Sequence, residues 1–345
     1  MSHDDELARG QRVGTLSAIG AFSLWGFLPL YWVQLRHVPP LEVIWHRVLW
    51  GAVLAWAIVL VRRRRSAARA SGPAGLARAT DTPAALPPLL PRGAALGWLV
   101  FNGVLVTANW LVYVWAVSSD RTLDASLGYY INPLVSVLLG LVFFRDRLTR
   151  LQWAAVASAT AGVLFLTIRL GAFPWVSLTL AFSFGTYGLI KKKTSLSSIH
   201  SLAVELTLLS VPALLAIAVG VFRGEGVPAN GDWRAAAFLL GGGVATVAPL
   251  LLFGVAAQRI RLSDVGFLQY IAPTVMFLIA ILVFGEPLEP ARLVGFIFVW
   301  TGLGMYSWSN YHSHRGRRRT ARLVAAAAGA PPTPPPPAQG EIPER

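Results

Sequence analysis

The chain has 345 residues, of which 55% are hydrophobic and only 13% charged. An ordinary soluble domain carries roughly twice that charged fraction. Apolar runs of near-membrane length recur from end to end, so the composition describes an all-α polytopic membrane protein. The chain has no cysteine, which excludes disulfides and thiolate metal sites, and no cofactor is expected. Its net charge of +14 sits in loops, where basic residues orient helices and meet anionic lipid; no nucleic-acid partner is implied.

In chain order, residues 1–12 are polar and are expected to form a loose cytoplasmic start. Ten spans follow, at about 13–33, 42–61, 94–117, 123–144, 151–168, 173–190, 199–222, 234–257, 264–284 and 291–308. Each is near the 17–25 residues needed to cross ~30 Å of hydrocarbon. The first run is too long for a signal-peptide core and lacks a small-residue cleavage site after it. A basic Ala/Pro/Arg-rich cytoplasmic loop, 62–93, separates the second and third spans. The tail, 310–345, is basic and then Pro-rich (PPTPPPP), a composition expected to be disordered, with its Arg run on anionic lipid.

The stretch Asp124 to Leu148 is written twice: 140 positions on, Asp264 to Leu288 repeats it. Asp124, Tyr130, Ile131 and Pro133 match Asp264, Tyr270, Ile271 and Pro273, and Asp146 faces Glu286. The first and sixth spans echo each other in Ala21-Phe22-Ser23 and Ala181-Phe182-Ser183. An internal duplication changes the expected fold. With the N-terminus inside, the inner segments hold 23 Lys and Arg, the outer ones six (Arg36, Arg121, Arg169, Arg223, Arg234, Arg292), and only Arg47 remains within a span. That asymmetry places both termini in the cytoplasm. Five spans per copy is an odd number, so the second copy, 173–309, is upside down relative to the first, 13–168. Two inverted five-helix repeats are a transporter signature, because exchanging the conformations of the halves opens a central site to the opposite face.

Arg47 is the sharpest single signal. It lies about five residues inside the second span, where a charge costs ~2.5–3.5 kcal/mol on insertion scales. It either faces a polar cavity and holds an anionic group of the substrate, or snorkels over ~8 Å to the outer surface. Glu205, at the mirror position in the seventh span, is a candidate partner of Arg47 or a proton carrier, or hydrogen-bonds near Lys191–Lys193. His46 points about 100° away from Arg47 and reads as a packing or hydrogen-bonding residue. Pro133 and Pro273 are hinge candidates that free the carbonyls of Tyr129 and Gln269. Kinks at matched places in two repeats point to a midplane site. Around them Tyr129, Tyr130, Asn132, Gln269 and Tyr270 form a polar set. Asn109 and Tyr113 from the third span, with Trp25, Tyr31 and Tyr187 from the paired first and sixth spans, complete a cavity suited to an amphipathic or aromatic solute. Trp98, Trp153, Trp175 and Trp308 lie near span ends, where the interfacial belt accounts for them. Ala154, Ser158 and Gly162, with Gly295 and Gly302, present small residues that fit either a homodimer seam or an internal contact between the repeats. No Walker loop, HExxH motif or nucleophile elbow is present, so no catalytic residue is assigned and no ATP-driven step can come from this chain alone.

LSAIGAFSLWGFLPLYW, EVIWHRVLW, ANWLVYVWAV, DASLGYYINPLVSVLLG, AFSFGTYGLIKKK and GFLQYIAPTVMFL together resemble the RarD-type proteins, a branch of the EamA family in the drug/metabolite transporter superfamily. The resemblance runs from about residue 13 to 310. It implies ten helices in two EamA repeats, an inner-membrane location, and export or uptake of a small solute. A lipid or lipid-linked flippase is the nearest rival within transport; a membrane-embedded enzyme or a sensor is further away.

Overall fold

The computed structural model describes residues 3–70, 93–119, 121–171, 173–194, 196–285 and 290–328. All regular structure among them is helical. The helices are α1 (His3–Trp32), α2 (Pro40–Ala70), α3 (Ala94–Ser118), α4 (Thr122–Phe144), α5 (Arg150–Leu170), α6 (Trp175–Lys193), α7 (Ser198–Phe222), α8 (Trp233–Arg259), α9 (Leu262–Leu268), α10 (Ile271–Leu282) and α11 (Pro290–Ala328). One 3-10 turn, Val33–Leu35, and one helical turn, Val227–Asn230, stand in the connections. A helix therefore occupies each of the ten expected spans. Among the described residues, eight stretches are long and apolar enough to cross a membrane. The other two helices, α6 with Lys191–Lys193 and α11 with its Trp, Tyr, Gly and basic tail, are less apolar.

Two ends differ from expectation. The helix begins at His3, not after residue 12, since Asp4, Asp5 and Glu6 favour a helix N-terminus. At the other end α11 runs through the Arg cluster to Ala328, because Arg, Leu and Ala are strong helix formers. Helix α2 likewise extends through Arg62–Arg65 to Ala70. The rest of the basic loop (71–92), the proline tract and Glu286 lie outside the described residues.

The packing exchanges the two copies. α1 packs on α8 and α10, as α6 packs on α3 and α4; α2 packs on α8, as α3 packs on α7. Three pairs are their own counterparts: α2 with α7, α4 with α9, and α5 with α11. The α4–α9 crossing joins the duplicated stretches. Gly266 lies so close that a Cβ there would stand 2.7 Å from the Pro133 carbonyl oxygen. The Tyr270 hydroxyl donates to the carbonyl of its repeat counterpart Tyr130 (3.2 Å), and Ser136 donates to Gln269 Oε1 (3.1 Å).

The duplicated prolines act unequally. Pro133 sits inside an unbroken α4. Before Pro273 the helix breaks into α9 and α10, and Ala272 N–H donates to the Gln269 carbonyl (3.1 Å). That carbonyl was expected to be free; a tightened turn recovers it, as buried backbone groups require.

The small-residue faces of α5 and α11 meet inside the molecule. A Cβ on Gly162 would lie 3.0 Å from the Gly295 carbonyl oxygen, and one on Gly302 2.8 Å from that of Ala155. Ser158 donates to the Phe298 carbonyl at 2.8 Å. Of the expected row, Ser158 and Gly162 make this contact, while Ala155 and Ala159 take the place of Ala154, which is exposed. Close approach of this kind replaces the hydrophobic drive that lipid cannot supply.

Candidate functional site

A cavity of about 840 Å³ lies between the two copies. Its wall draws on α1 to α6, α8, α10 and α11, with Gln269 from the break between α9 and α10, but on no residue of α7. The lining residues come from the halves of the helices that adjoin the α1–α2 and α3–α4 connections, and reach down to Thr246, Leu250 and Gln269 near mid-helix. The cavity is therefore reached from one end of the bundle.

Of the residues expected from sequence, Trp25, Arg47, Asn109, Tyr113, Tyr129, Tyr130, Asn132, Gln269 and Pro273 line this space. Arg47 does not snorkel away. Its Nε donates to Thr246 Oγ1 (3.1 Å), and its guanidinium lies 4.6 Å from the Trp32 ring centroid and 5.3 Å from that of Trp110. Flat indole faces attract a cation and shield it from lipid. Tyr113 and Tyr129 stand next to it, edge to face at 6.2 Å. Asn109 spends its amide N–H groups on the Leu180 carbonyl (2.9 Å) and Ser183 Oγ (2.8 Å), tying α3 to α6. Asn132 Oδ1 is buried and has no partner among the described residues.

Other expected residues lie elsewhere. Tyr31 turns its hydroxyl to the Phe238 carbonyl. Tyr270 is buried under α4. His46 is buried off the wall, 4.0 Å from Glu42 one turn away. Tyr187 lies below the cavity floor. That floor is a layer of rings: Phe22, Trp25 and Phe184 face the cavity and pack on buried Phe253, on which Tyr187 stacks at 5.9 Å.

Glu205 is not the partner of Arg47. It sits beneath that floor, 1% exposed, and pairs with Lys191 at 2.9 Å. Asn102 Nδ2 donates to it (3.0 Å), and so does the Tyr187 hydroxyl (3.4 Å), while Lys191 also donates to Ser201 Oγ (2.8 Å). The mirror relation between the second and seventh spans suggested a pairing across the cavity; the Lys191 side chain, one turn from the end of α6, reaches the carboxylate first. The place of Glu205 matches the other expectation, a bond near Lys191–Lys193, and singles out Lys191 as the partner. Sequence reasoning did miss Trp32, Trp110 and Thr246 around Arg47.

The far end of the bundle is closed by a polar network. Ser263 donates to Asp146 Oδ2 through its hydroxyl (2.7 Å) and its N–H (3.2 Å). Arg261 forks onto Asp264 at 2.9 and 2.8 Å and donates to the Arg147 carbonyl (3.1 Å). Tyr306 and Asn310 of α11 both donate to Asp264 Oδ1, at 2.9 and 3.0 Å. Lys192 caps the carbonyls of Ala257 and Ile260. These contacts bind the α4–α5 and α8–α9 connections to α11.

The model of the EamA-like transporter family matches twice, at residues 12–168 and 174–308. The chain is 37% identical to Protein RarD of Streptomyces exfoliatus over 313 residues, 91% of this chain and 93% of that protein. It is 39% identical to the uncharacterized transporter YojE of Bacillus subtilis over 298 residues, 86% of this chain and 94% of that one. With Protein RarD of Escherichia coli K12 it shares 34% over 309 residues, 89% and 98% of the two chains. One solved crystal structure superposes with a TM-score of 0.58 at 17% identity, covering 86% of this chain and 97% of its own, and shares the fold. The chain belongs to the EamA-like transporter family and is of its RarD type.

Proposed function

We propose that the chain is a secondary transporter that moves a small organic solute across the cell inner membrane by alternating access, built as two inverted five-helix repeats with both termini in the cytoplasm. The observation that carries this proposal is a metabolite-sized cavity between the two copies, reached from one end and closed at the other by the Asp146–Ser263 and Arg261–Asp264 contacts. Its volume falls within the ~300–1,000 Å³ typical of small-molecule sites. The exchange of contacts between copies supports two states related by swapping their conformations. The closed end carries the α4–α5, α6–α7 and α8–α9 connections, which the Lys and Arg asymmetry of the sequence assigns to the cytoplasm, so this state faces outward. Proton coupling through Glu205 would act from beneath the ring floor, by loosening its bond to Lys191.

The absence of cysteine makes the test direct. Single-cysteine chains carry Ser126→Cys in the cavity wall or Ala257→Cys at the closed end, and a membrane-impermeant maleimide is applied to each face of sealed vesicles. Ser126→Cys reacts from the outer face and Ala257→Cys stays protected. Adding Asp264→Asn, which unfastens Arg261, exposes Ala257→Cys to the cytoplasmic face and protects Ser126→Cys. Independent responses of the two positions would rule out alternation.

A further inference from the structure

The cavity's charge is one-sided. Arg36, Arg47 and Arg169 line it, and no Asp or Glu does among the described residues. Buried Lys191 and half-buried Arg47 are treated differently. Lys191 has its carboxylate in Glu205, off the cavity. Arg47 has one hydroxyl on its Nε and two indole faces, and no carboxylate within ion-pair distance among the described residues. A guanidinium presents five donors in a fixed fork, so a hydroxyl on Nε leaves the Nη pair for a planar anion. Holding a cation within a span is costly unless an opposite charge meets it. The residue that could supply one on the mirror helix, Glu205, is committed elsewhere.

Taking the transporter proposal as its basis, we propose that the solute is an organic anion with a flat apolar body: its carboxylate or comparable anionic head seats on Arg47, and its body lies among Trp25, Trp32, Trp110 and Phe184. The larger part of the wall is apolar, and rings on several sides suit a flat body. Arg36 and Arg169, near the ends of α1 and α5 at the open side, add positive potential along the entry and raise the local concentration of anions. A cation meets three like charges and no acid; a neutral amide offers the Nη pair one acceptor oxygen and no charge, against two charged oxygens of a carboxylate.

The test uses one ring with three heads: indole-3-acetate, indole-3-acetamide and tryptamine, repeated with 3-phenylpropionate, its amide and its amine. Binding to the purified full chain is read as thermal stabilisation and as quenching of tryptophan fluorescence. The acids bind at least tenfold tighter than their amides, and the amines do not bind. Arg47→Gln abolishes the difference between acid and amide; Arg47→Lys, which keeps the charge without the fork, retains part of it and serves if the Gln variant does not fold. Amides or amines binding as well as the acids, acids binding unchanged to Arg47→Gln, or no acid binding at millimolar concentration would each overturn the anion class. Flux of the best-bound probe in proteoliposomes separates the two proposals. An amide or amine that is bound and moved leaves the transporter standing and removes the anion class. An acid held on Arg47 but never moved does the reverse.

Discussion

The Lys191–Glu205 pair is the most exacting test of how this bundle is held together. Both side chains are 1% exposed, so solvent screens neither charge. Glu205→Gln leaves the Lys191 ammonium with Ser201 Oγ and the replacing amide; Lys191→Met leaves the carboxylate with Asn102 and Tyr187 only. Removing one member of a buried pair strands the other, at about 3–5 kcal/mol. Removing both charges strands neither. Lys191→Met combined with Glu205→Gln keeps an amide oxygen for Asn102 and is expected within about 2 kcal/mol of the parent, since swapping a buried pair for apolar or neutral groups is often close to neutral. The double-mutant cycle therefore gives a coupling of about 3 kcal/mol or more, at the top of the range for contacting residues. Equilibrium unfolding in mixed detergent micelles, followed by the intrinsic fluorescence of the 13 tryptophans, measures it. Single costs that add within about 0.5 kcal/mol would refute the pairing. The same Glu205→Gln chain examines coupling: loss of pH dependence in flux, with flux itself retained, assigns the proton to this pair.

Two smaller perturbations check other parts of the fold. Gly266→Ala drives a methyl to 2.7 Å from the Pro133 carbonyl oxygen, where backbone on both sides cannot yield, and costs about 1–3 kcal/mol. Gly304→Ala, with nothing within 4 Å on α11, is neutral or stabilising in the same unfolding assay, and equal effects at the two glycines would discount the α4–α9 crossing. Asp232 caps α8: the Ala235 N–H and then the His37 ring, 3.0 Å away, hold its carboxyl below the usual 3.8. A depressed carboxyl contributes stability that is present above its unfolded pKa and lost as pH falls through the folded one. The stability difference between the parent and Asp232→Ala is thus constant near neutrality and shrinks only below pH 3.8, as a pH series of unfolding curves will show.

Several features needed no coordinates. That a helix would occupy each expected stretch was legible because twenty-odd apolar residues have one inexpensive way to lie in a bilayer, with every backbone group bonded within the segment. The duplication showed through Tyr130-Ile131-Pro133 and Tyr270-Ile271-Pro273, and the α4–α9 crossing puts these two stretches against each other. Arg47 stood out because a charge within an apolar run is costly wherever that run packs. What the sequence could not supply was the rotation of each helix about its own axis. In a soluble bundle the polar face marks the outside, but lipid is as apolar as the core, so a span that is hydrophobic all round carries no such mark. Tertiary packing alone therefore turned Tyr31, Tyr187 and Tyr270 away from the cavity wall. It chose Ala155 over Ala154 for the α5–α11 contact. It also gave Glu205 to Lys191, leaving Arg47 without a carboxylate among the described residues and open to the cavity.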